Sequence, residues 1–143
     1  MSVQPIPEGY NAVMPYLLVD GVDRWLEFVC AAFGAVVIEK VPGADGRTTH
    51  AEVRIRESVV MAGQARPEHP AQATMLYHYV PDVDSVYAKA LTAGGESVQE
   101  LTNTFYGDRT AAIKDPGGHT WYLATHVEDV SHEEMTRRNA ERE

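Results

Sequence analysis

The feature that most constrains the fold is an internal repeat, in which the second half of the chain resembles the first at a shift of 61 positions. Residues 19–24 read VDGVDR, and residues 80–85 read VPDVDS. The same shift carries Gly34 onto Gly95. A repeat of this length is typical of structural units that bury their apolar faces against each other. We therefore expect two copies of one module in a single folded domain.

Each copy has the hydrophobic pattern of a strand, a helix and three further strands. Alternating or continuous apolar residues predict the strands, and an apolar stripe that ends at a glycine predicts each helix. The predicted elements are strands 12–19, 36–41, 48–55 and 58–62 with a helix over 22–33, and then strands 75–80, 97–101, 109–114 and 120–125 with a helix over 83–91. The fold class is therefore α+β, with tandem βαβββ modules at 10–63 and 74–126 joined by a linker at 64–73.

A charged helix is predicted for the tail, residues 131–143. Ser131 and Glu134 have the spacing of a capping box, in which each side chain bonds a free backbone N–H of the first turn. Because charged residues surround this helix almost completely, we expect a solvated tail or one that covers a dimer interface.

Composition and charge exclude several classes of function. The chain has 143 residues and a net charge of −9, which disfavours nucleic acids and anionic membranes as partners. No apolar run approaches the ~20 residues of a membrane span, and residues 1–10 lack the pattern of a signal peptide. Cys30 is the only cysteine, so no internal disulfide is expected. These features predict a cytoplasmic protein.

The end of the second half carries a recognisable motif. Residues 115–126 read DPGGHTWYLATH, and residues 105–109 read FYGDR. With the two βαβββ modules, these motifs resemble the vicinal oxygen chelate superfamily, the glyoxalase/bleomycin-resistance fold, and within it the PhnB-like branch. The resemblance implies two curved half-barrels, often completed by dimerisation. Its members include metal-dependent isomerases, epimerases and dioxygenases, transferases, and resistance proteins that only sequester a drug.

The resemblance also implies where a metal would bind. Enzymes of the superfamily hold a divalent ion with one side chain from the first and one from the last strand of each half. Those positions carry over to Met14, Met61, Met75 and Tyr122. Thioethers and a neutral phenol are poor ligands for such ions. We therefore predict no metal and no other cofactor, and a cavity lined by adaptable methionines, unless these methionines simply fill the core.

Strand alternation extends the predicted cavity lining. Tyr16, Tyr77 and Tyr79 share the inward face with the methionines. A four-residue turn at 115–118 would pair Lys114 with His119, which turns Arg109, Ala111 and Ile113 inward as well. The candidate ligand-binding residues are Met14, Tyr16, His50, Met61, Met75, Tyr77, Tyr79, Phe105, Tyr106, Arg109 and Tyr122, with Phe105 and Tyr106 on a predicted lid loop over 100–108.

His50 and Glu52 are polar exceptions on this inward face. A histidine is a suitable general base near neutral pH, and a carboxylate two residues away can orient it. Three interpretations stay open for the pair: a structural polar network, ligand binding, and acid/base catalysis. His78 and His119 fall on the outward face, and His126 is assigned to the tail, so structural or solvated roles are expected for these three.

The sequence thus predicts a homodimeric protein that binds or sequesters an apolar or aromatic small molecule without a metal. One alternative is a metal-independent isomerase that uses His50 and Glu52 for proton transfer. Another is a metal-dependent lyase or dioxygenase, which would require the four carried-over positions to be wrong.

Overall fold

The computed structural model describes residues 2–143 and contains two four-stranded sheets, with strand orders β1-β4-β3-β2 and β5-β8-β7-β6. The first module consists of β1 (Tyr16–Val19), α1 (Val22–Phe33), β2 (Val36–Pro42), β3 (Thr48–Ile55) and β4 (Ser58–Gln64). The second consists of β5 (Met75–Tyr79), α2 (Val83–Thr92), β6 (Glu96–Asn103), β7 (Asp108–Lys114) and β8 (Thr120–His126), and α3 (His132–Arg142) follows. The α+β class and the tandem modules are confirmed.

Helices α1 and α2 pack into one core that both modules share. Helix α1 has the predicted bounds and ends at Gly34, which adopts a left-handed φ of 67° and donates its N–H to the Cys30 carbonyl. Asp82 caps α2 by accepting from the Ser85 N–H. The buried face of α1, the inner side of α2 and one face of each sheet form a continuous apolar cluster. The opposite face of each sheet is therefore left open.

A buried carboxylate joins the modules. Oδ2 of Asp115, in the turn before β8, accepts from the indole Nε1 of Trp25 at 2.9 Å and from that of Trp121 at 2.8 Å. Its Oδ1 accepts from the backbone N–H of His119. The His119 ring lies 3.0 Å, by its Nε2, from the Leu18 carbonyl in β1. These contacts tie the β7–β8 turn of the second module to α1 and β1 of the first.

The repeat holds across the parallel strand pairs but not across the hairpins. Tyr16 lies opposite Met61, and the equivalent Tyr77 lies opposite Tyr122, as a shift of 61 requires. In β3 the residue opposite Met61 is Glu52, whereas in β7 the residue opposite Tyr122 is Ala112. Equivalent residues of β3 and β7 are therefore 60 positions apart in the sequence, and not 61.

This difference overturns the predicted β7 register. Lys114 pairs with Thr120 and not with His119, because the turn spans five residues. Arg109, Ala111 and Ile113 consequently face the helices, and Arg109 forms an ion pair with Asp84 of α2 at 2.8 Å. Asp108, Thr110 and Ala112 occupy the open face instead, so the predicted inward orientation of Arg109, on which its assignment to the ligand-binding residues rested, was wrong.

Two other predictions change at the strand ends. Strand β1 begins at Tyr16, so Met14 lies before it. The predicted lid loop over 100–108 is not a loop, because β6 continues to Asn103 and only a tight turn remains before β7. In that turn the Thr104 N–H bonds the Asp108 carbonyl at 2.8 Å. Within residues 2–143, no helix is both long and apolar enough to cross a membrane.

Candidate ligand-binding site

Each sheet turns one face away from the shared core, and both faces carry tyrosines. We call them the first face, on β1–β4, and the second face, on β5–β8. Tyr16 is 52% exposed on the first face, while Tyr77 and Tyr79 are 42% and 55% exposed on the second. The predicted site residues on strands, apart from Arg109, therefore divide between two faces on different sheets, while Met14 precedes β1 and Phe105 and Tyr106 lie in the turn after β6. They do not line one cavity within a chain.

The second face is organised around Asp108, which is buried. Its Oδ2 accepts from the hydroxyls of Tyr77 and Tyr79, each at 2.7 Å. Its Oδ1 accepts from Nδ1 of His126 at 2.8 Å. The Tyr106 hydroxyl lies 3.0 Å from that of Tyr77. Three strands and a turn thus hold five side chains in fixed orientations, with the rings of Tyr77 and Tyr79 partly open to solvent.

Electrostatics keep the two phenols of this network protonated and its carboxylate ionised. Burial favours the protonated form of Asp108, but hydrogen bonds from Tyr79, His126 and Tyr77 outweigh it and lower the carboxyl pKa. The same contact with Asp108 raises the pKa of Tyr79 to about 12, and burial together with Tyr106 and Asp108 raises that of Tyr77. Hydrogen bonds to Asp108 and Asp129 raise the pKa of His126. The phenols therefore stay protonated and donate.

A cavity of about 330 Å³ adjoins this network, and three predicted aromatic residues, Phe105, Tyr106 and Tyr122, line it. The Tyr122 ring lies parallel to that of Tyr77, with centroids 6.3 Å apart and planes 5° apart. Arg142 of α3 closes one side, with its guanidinium carbon 4.6 Å from the Phe105 centroid. The cavity lies at the lower end of the ~300–1,000 Å³ typical of small-molecule sites.

Helix α3 is attached to this rim. Ser131 caps it by accepting from the Glu134 N–H, as the sequence predicts. Arg138 donates to the Phe105 carbonyl at 3.1 Å and pairs with Glu128 at 2.9 Å. The charged helix therefore supports the turn that carries Phe105 and does not extend freely from the domain.

The first face carries a chain of hydrogen bonds that includes the predicted polar pair. Nε2 of His50 lies 2.7 Å from Oε2 of Glu52, and Nδ1 of His50 lies 3.1 Å from the Tyr16 hydroxyl. Tyr10 donates its hydroxyl to the other oxygen of Glu52. Burial favours a protonated Glu52, but the hydrogen bonds from Tyr10 and His50 lower its pKa.

Tyr16 borders a second cavity, of about 410 Å³, which Arg66 and His69 also line. Its ring lies against Gly63 of β4, where an added Cβ would come within 2.6 Å of the Tyr16 oxygen. Glycine at this position lets the phenol lie flat on the strand and reach His50. Tyr16 is therefore the solvent-exposed end of the series of hydrogen bonds that runs from Glu52 through His50.

The side chains at the four positions carried over by the resemblance are poor ligands for a divalent cation. In the structure the strand partner of Met61 is Tyr16 and not Met14, and that of Tyr122 is Tyr77 and not Met75, and phenols fit such an ion no better. Met75, at the start of β5, is 68% exposed. Among the described residues, no group of three His, Cys, Asp or Glu side chains could hold a metal.

Sequence reasoning missed three residues that organise the faces. Asp108 was hidden by the register error described above. His126 shares strand alternation with Tyr122 and Ala124, so continuing β8 by one residue would have placed it on the second face. Tyr10 lies outside any strand, and no periodic signal marks its contact with Glu52.

Comparisons with known proteins identify the fold family. The model of the Glyoxalase/Bleomycin resistance protein/Dioxygenase superfamily matches residues 9–123. The chain belongs to this superfamily. A Mycobacterium bovis relative, named as uncharacterized, is 33% identical over 135 residues and is covered over 89% of its length, with 87% of this chain aligned.

Several solved structures share this fold. TioX from Micromonospora sp. ML1 superposes with a TM-score of 0.70 at 24% identity, covering 82% of this chain and all of TioX. TnmS3, described as an antibiotic binding protein from Streptomyces sp. CB03234, gives 0.63 at 20% identity, with 88% and 98% covered. A glyoxalase-related enzyme from Fulvimarina pelagi gives 0.66 at 16% identity, with 80% and 87% covered. At these identities the likeness concerns the fold alone.

Proposed function

We propose that this protein binds a planar, apolar or aromatic small molecule on the second face and needs no metal to do so. The observation that carries the proposal is the 330 Å³ cavity in which Phe105, Tyr106 and Tyr122 meet, beside the parallel ring of Tyr77. Aromatic side chains held in fixed positions present flat surfaces on which a second ring stacks at low entropic cost.

The Asp108 network supports the same proposal. Because Tyr77 and Tyr79 share one carboxylate oxygen, their rings are oriented before any ligand arrives. Preorganisation of this kind raises affinity because fewer rotamers are frozen on binding. The antibiotic-binding description of the neighbour TnmS3 is consistent with sequestration as the purpose of binding. Tyr79 is 55% exposed, so its oriented ring is accessible to a ligand.

We further propose that a second copy of the chain completes the site. Each chain leaves both faces open, and apolar side chains such as Val36 (61% exposed) and Met75 (68%) lie on or beside them. Exposed apolar surface of this extent is typical of an interface. A second copy would bring the first face of one protomer opposite the second face of its partner. Light scattering at micromolar concentration tests this, since a monomer mass would contradict it.

The binding test uses fluorescence titration with herniarin, a planar coumarin methyl ether. Tyr122→Leu removes the ring but keeps apolar bulk, and Tyr87→Leu makes the same change on α2, away from the cavity. Loss of about 1–1.5 kcal/mol of stacking should weaken binding roughly tenfold for the Tyr122 variant. The Tyr87 variant should bind like the wild type. Equal affinity for all three proteins, or no binding at all, would contradict the proposal.

A further inference from the structure

We propose that the first face receives an acidic hydroxyl of the bound ligand and takes up its proton through Tyr16 onto His50. The inference rests on the proposed function, in which two protomers close on an aromatic molecule, and it adds the ligand's chemical class: a hydroxylated aromatic compound with an ionisable O–H. The residues that carry it are Tyr16, His50 and Glu52.

The hydrogen-bond pattern sets the tautomer of His50. A carboxylate only accepts, so Glu52 requires the imidazole proton on Nε2, which lies 2.7 Å from it. Nδ1 is then left as an acceptor, and the Tyr16 hydroxyl lies 3.1 Å away. Tyr10 donates to the second Glu52 oxygen and so fixes the carboxylate itself. A carboxylate, an imidazole and a hydroxyl in this order follow the logic of a nucleophile–histidine–acid triad.

The proposed step balances in protons and charge. A ligand O–H gives its proton to the Tyr16 oxygen while the Tyr16 proton moves to Nδ1 of His50. The ligand becomes an anion, Tyr16 is again a neutral phenol, and His50 becomes an imidazolium next to the Glu52 carboxylate. No bond other than O–H and N–H forms or breaks, and no oxidant or co-reactant is needed. The total charge of the complex is unchanged.

The internal repeat supplies a matched comparison. Tyr77 is the counterpart of Tyr16, yet its hydroxyl donates directly to the Asp108 carboxylate, which fixes its proton. At the positions matched to His50 and Glu52, β7 carries Thr110 and Ala112. The second face therefore has a fixed donor where the first face has a phenol bonded to a basic nitrogen. The two half-sites are equipped for different tasks, ring binding on one and proton uptake on the other.

The surroundings of Tyr16 favour the resulting anion. The tyrosine opens into the 410 Å³ cavity, which Arg66 also lines. Arg66 is exposed, and within residues 2–143 its guanidinium forms no ion pair with a carboxylate, so its positive charge is free to interact with an anion near the cavity. The titratable side chains bonded to the imidazole are Tyr16 and Glu52. Tyr10, which bonds the same Glu52, is in turn affected by the charges of Arg54 on β3 and Glu39 on β2.

The test compares two probes, the hydroxycoumarin umbelliferone and its methyl ether herniarin, which has no ionisable proton. Umbelliferone absorbs differently as a phenol and as an anion, so its ionisation on the protein can be read directly across pH. On the wild type we expect its apparent pKa to fall by about one unit, a roughly tenfold change in proton affinity. His50→Gln should remove most of this fall and leave herniarin binding intact. His132→Gln, at the exposed start of α3, is the matched control and should behave like the wild type.

The outcomes separate this inference from the proposed function. If both probes bind but umbelliferone ionises as it does in water, or ionises equally on His50→Gln, the proton relay is overturned and the binding proposal stands. If neither probe binds, the proposal that the protein binds planar aromatic molecules fails for coumarins. The proton relay is then tested on the ligand-free protein. There, nitrogen-15 NMR should show the His50 proton on Nε2, and Glu52→Gln should weaken that preference. A proton on Nδ1 in the wild type would overturn the relay.

Discussion

The link between the modules can be tested by changing one oxygen atom. In Asp115→Asn the side chain keeps its shape, but one carboxylate oxygen becomes an NH₂ group that only donates. If that group takes the Oδ2 position, it faces the indole N–H groups of Trp25 and Trp121, which both require an acceptor. If the amide flips, it faces the backbone N–H groups of Gly117 and His119 instead. Either orientation leaves two donors unpaired.

The expected cost follows from burial. Asp115 is 4% exposed, and Trp25 and Trp121 are 0% and 2% exposed, so water cannot replace the lost acceptor. A buried donor without a partner costs about 1–3 kcal/mol. Two of them should lower the free energy of unfolding by about 2–6 kcal/mol, or the melting temperature by roughly 5–20 °C in a chain of this size.

Urea denaturation monitored by tryptophan fluorescence measures this change. Asp45→Asn is the matched control, because Asp45 also accepts a backbone N–H, that of Arg47, but is exposed. It should change stability by no more than about 0.5 kcal/mol. An Asp115→Asn protein whose stability lies within that margin of the wild type would refute the role assigned to the carboxylate.

Three further predictions concern the two faces. Elemental analysis of purified protein should find divalent metal well below one equivalent per chain, and a stoichiometric ion would contradict the metal-free account. In NMR the imidazole of His126 should titrate above its usual pKa of ~6.5. Its contacts therefore stabilise the fold fully below pH ~6.5, and this stabilisation is lost as the pH rises through the higher folded-state pKa. An unshifted pKa, or one that Asp129→Asn leaves unchanged, would contradict this. Gly63→Ala should displace the Tyr16 ring and abolish the fall in the apparent pKa of bound umbelliferone, while changing the melting temperature little because the ring end can move. An undiminished fall in this variant would argue against the contact.

The modules could be predicted because their signals are local. The spacing of Val22, Trp25 and Val29 and the stop at Gly34 define α1 within a single stretch of chain, and the structure gives the predicted bounds. The repeat then transfers the same reasoning to α2. Features that depend on loop length are less secure, since one residue more or fewer reverses a strand's two faces.

The two faces show this contrast most clearly. His50 and Glu52 were assigned to the open side by shifting the β7 assignment by 61 positions, which predicts His50 opposite Met61. In the structure Glu52 lies opposite Met61, and because a difference of two residues does not change the face, both side chains still lie on the open side. Asp108 was missed and Arg109 chosen in its place, because the DPGGH turn holds five residues and not four. The division of the site between two sheets also escaped prediction, since the packing of α1 against α2 is a tertiary contact that periodicity does not reveal.

The central claim, metal-free binding of an aromatic molecule on the second face, is tested most directly by NMR mapping. Chelator-treated, nitrogen-15-labelled protein would be titrated with herniarin while backbone amide shifts are followed. The account predicts saturable shifts concentrated at Phe105, Tyr106 and the strands that carry Tyr77 and Tyr122, unchanged when divalent ions are restored. Shifts that arise only after metal is added, or that map away from the second face, would contradict it.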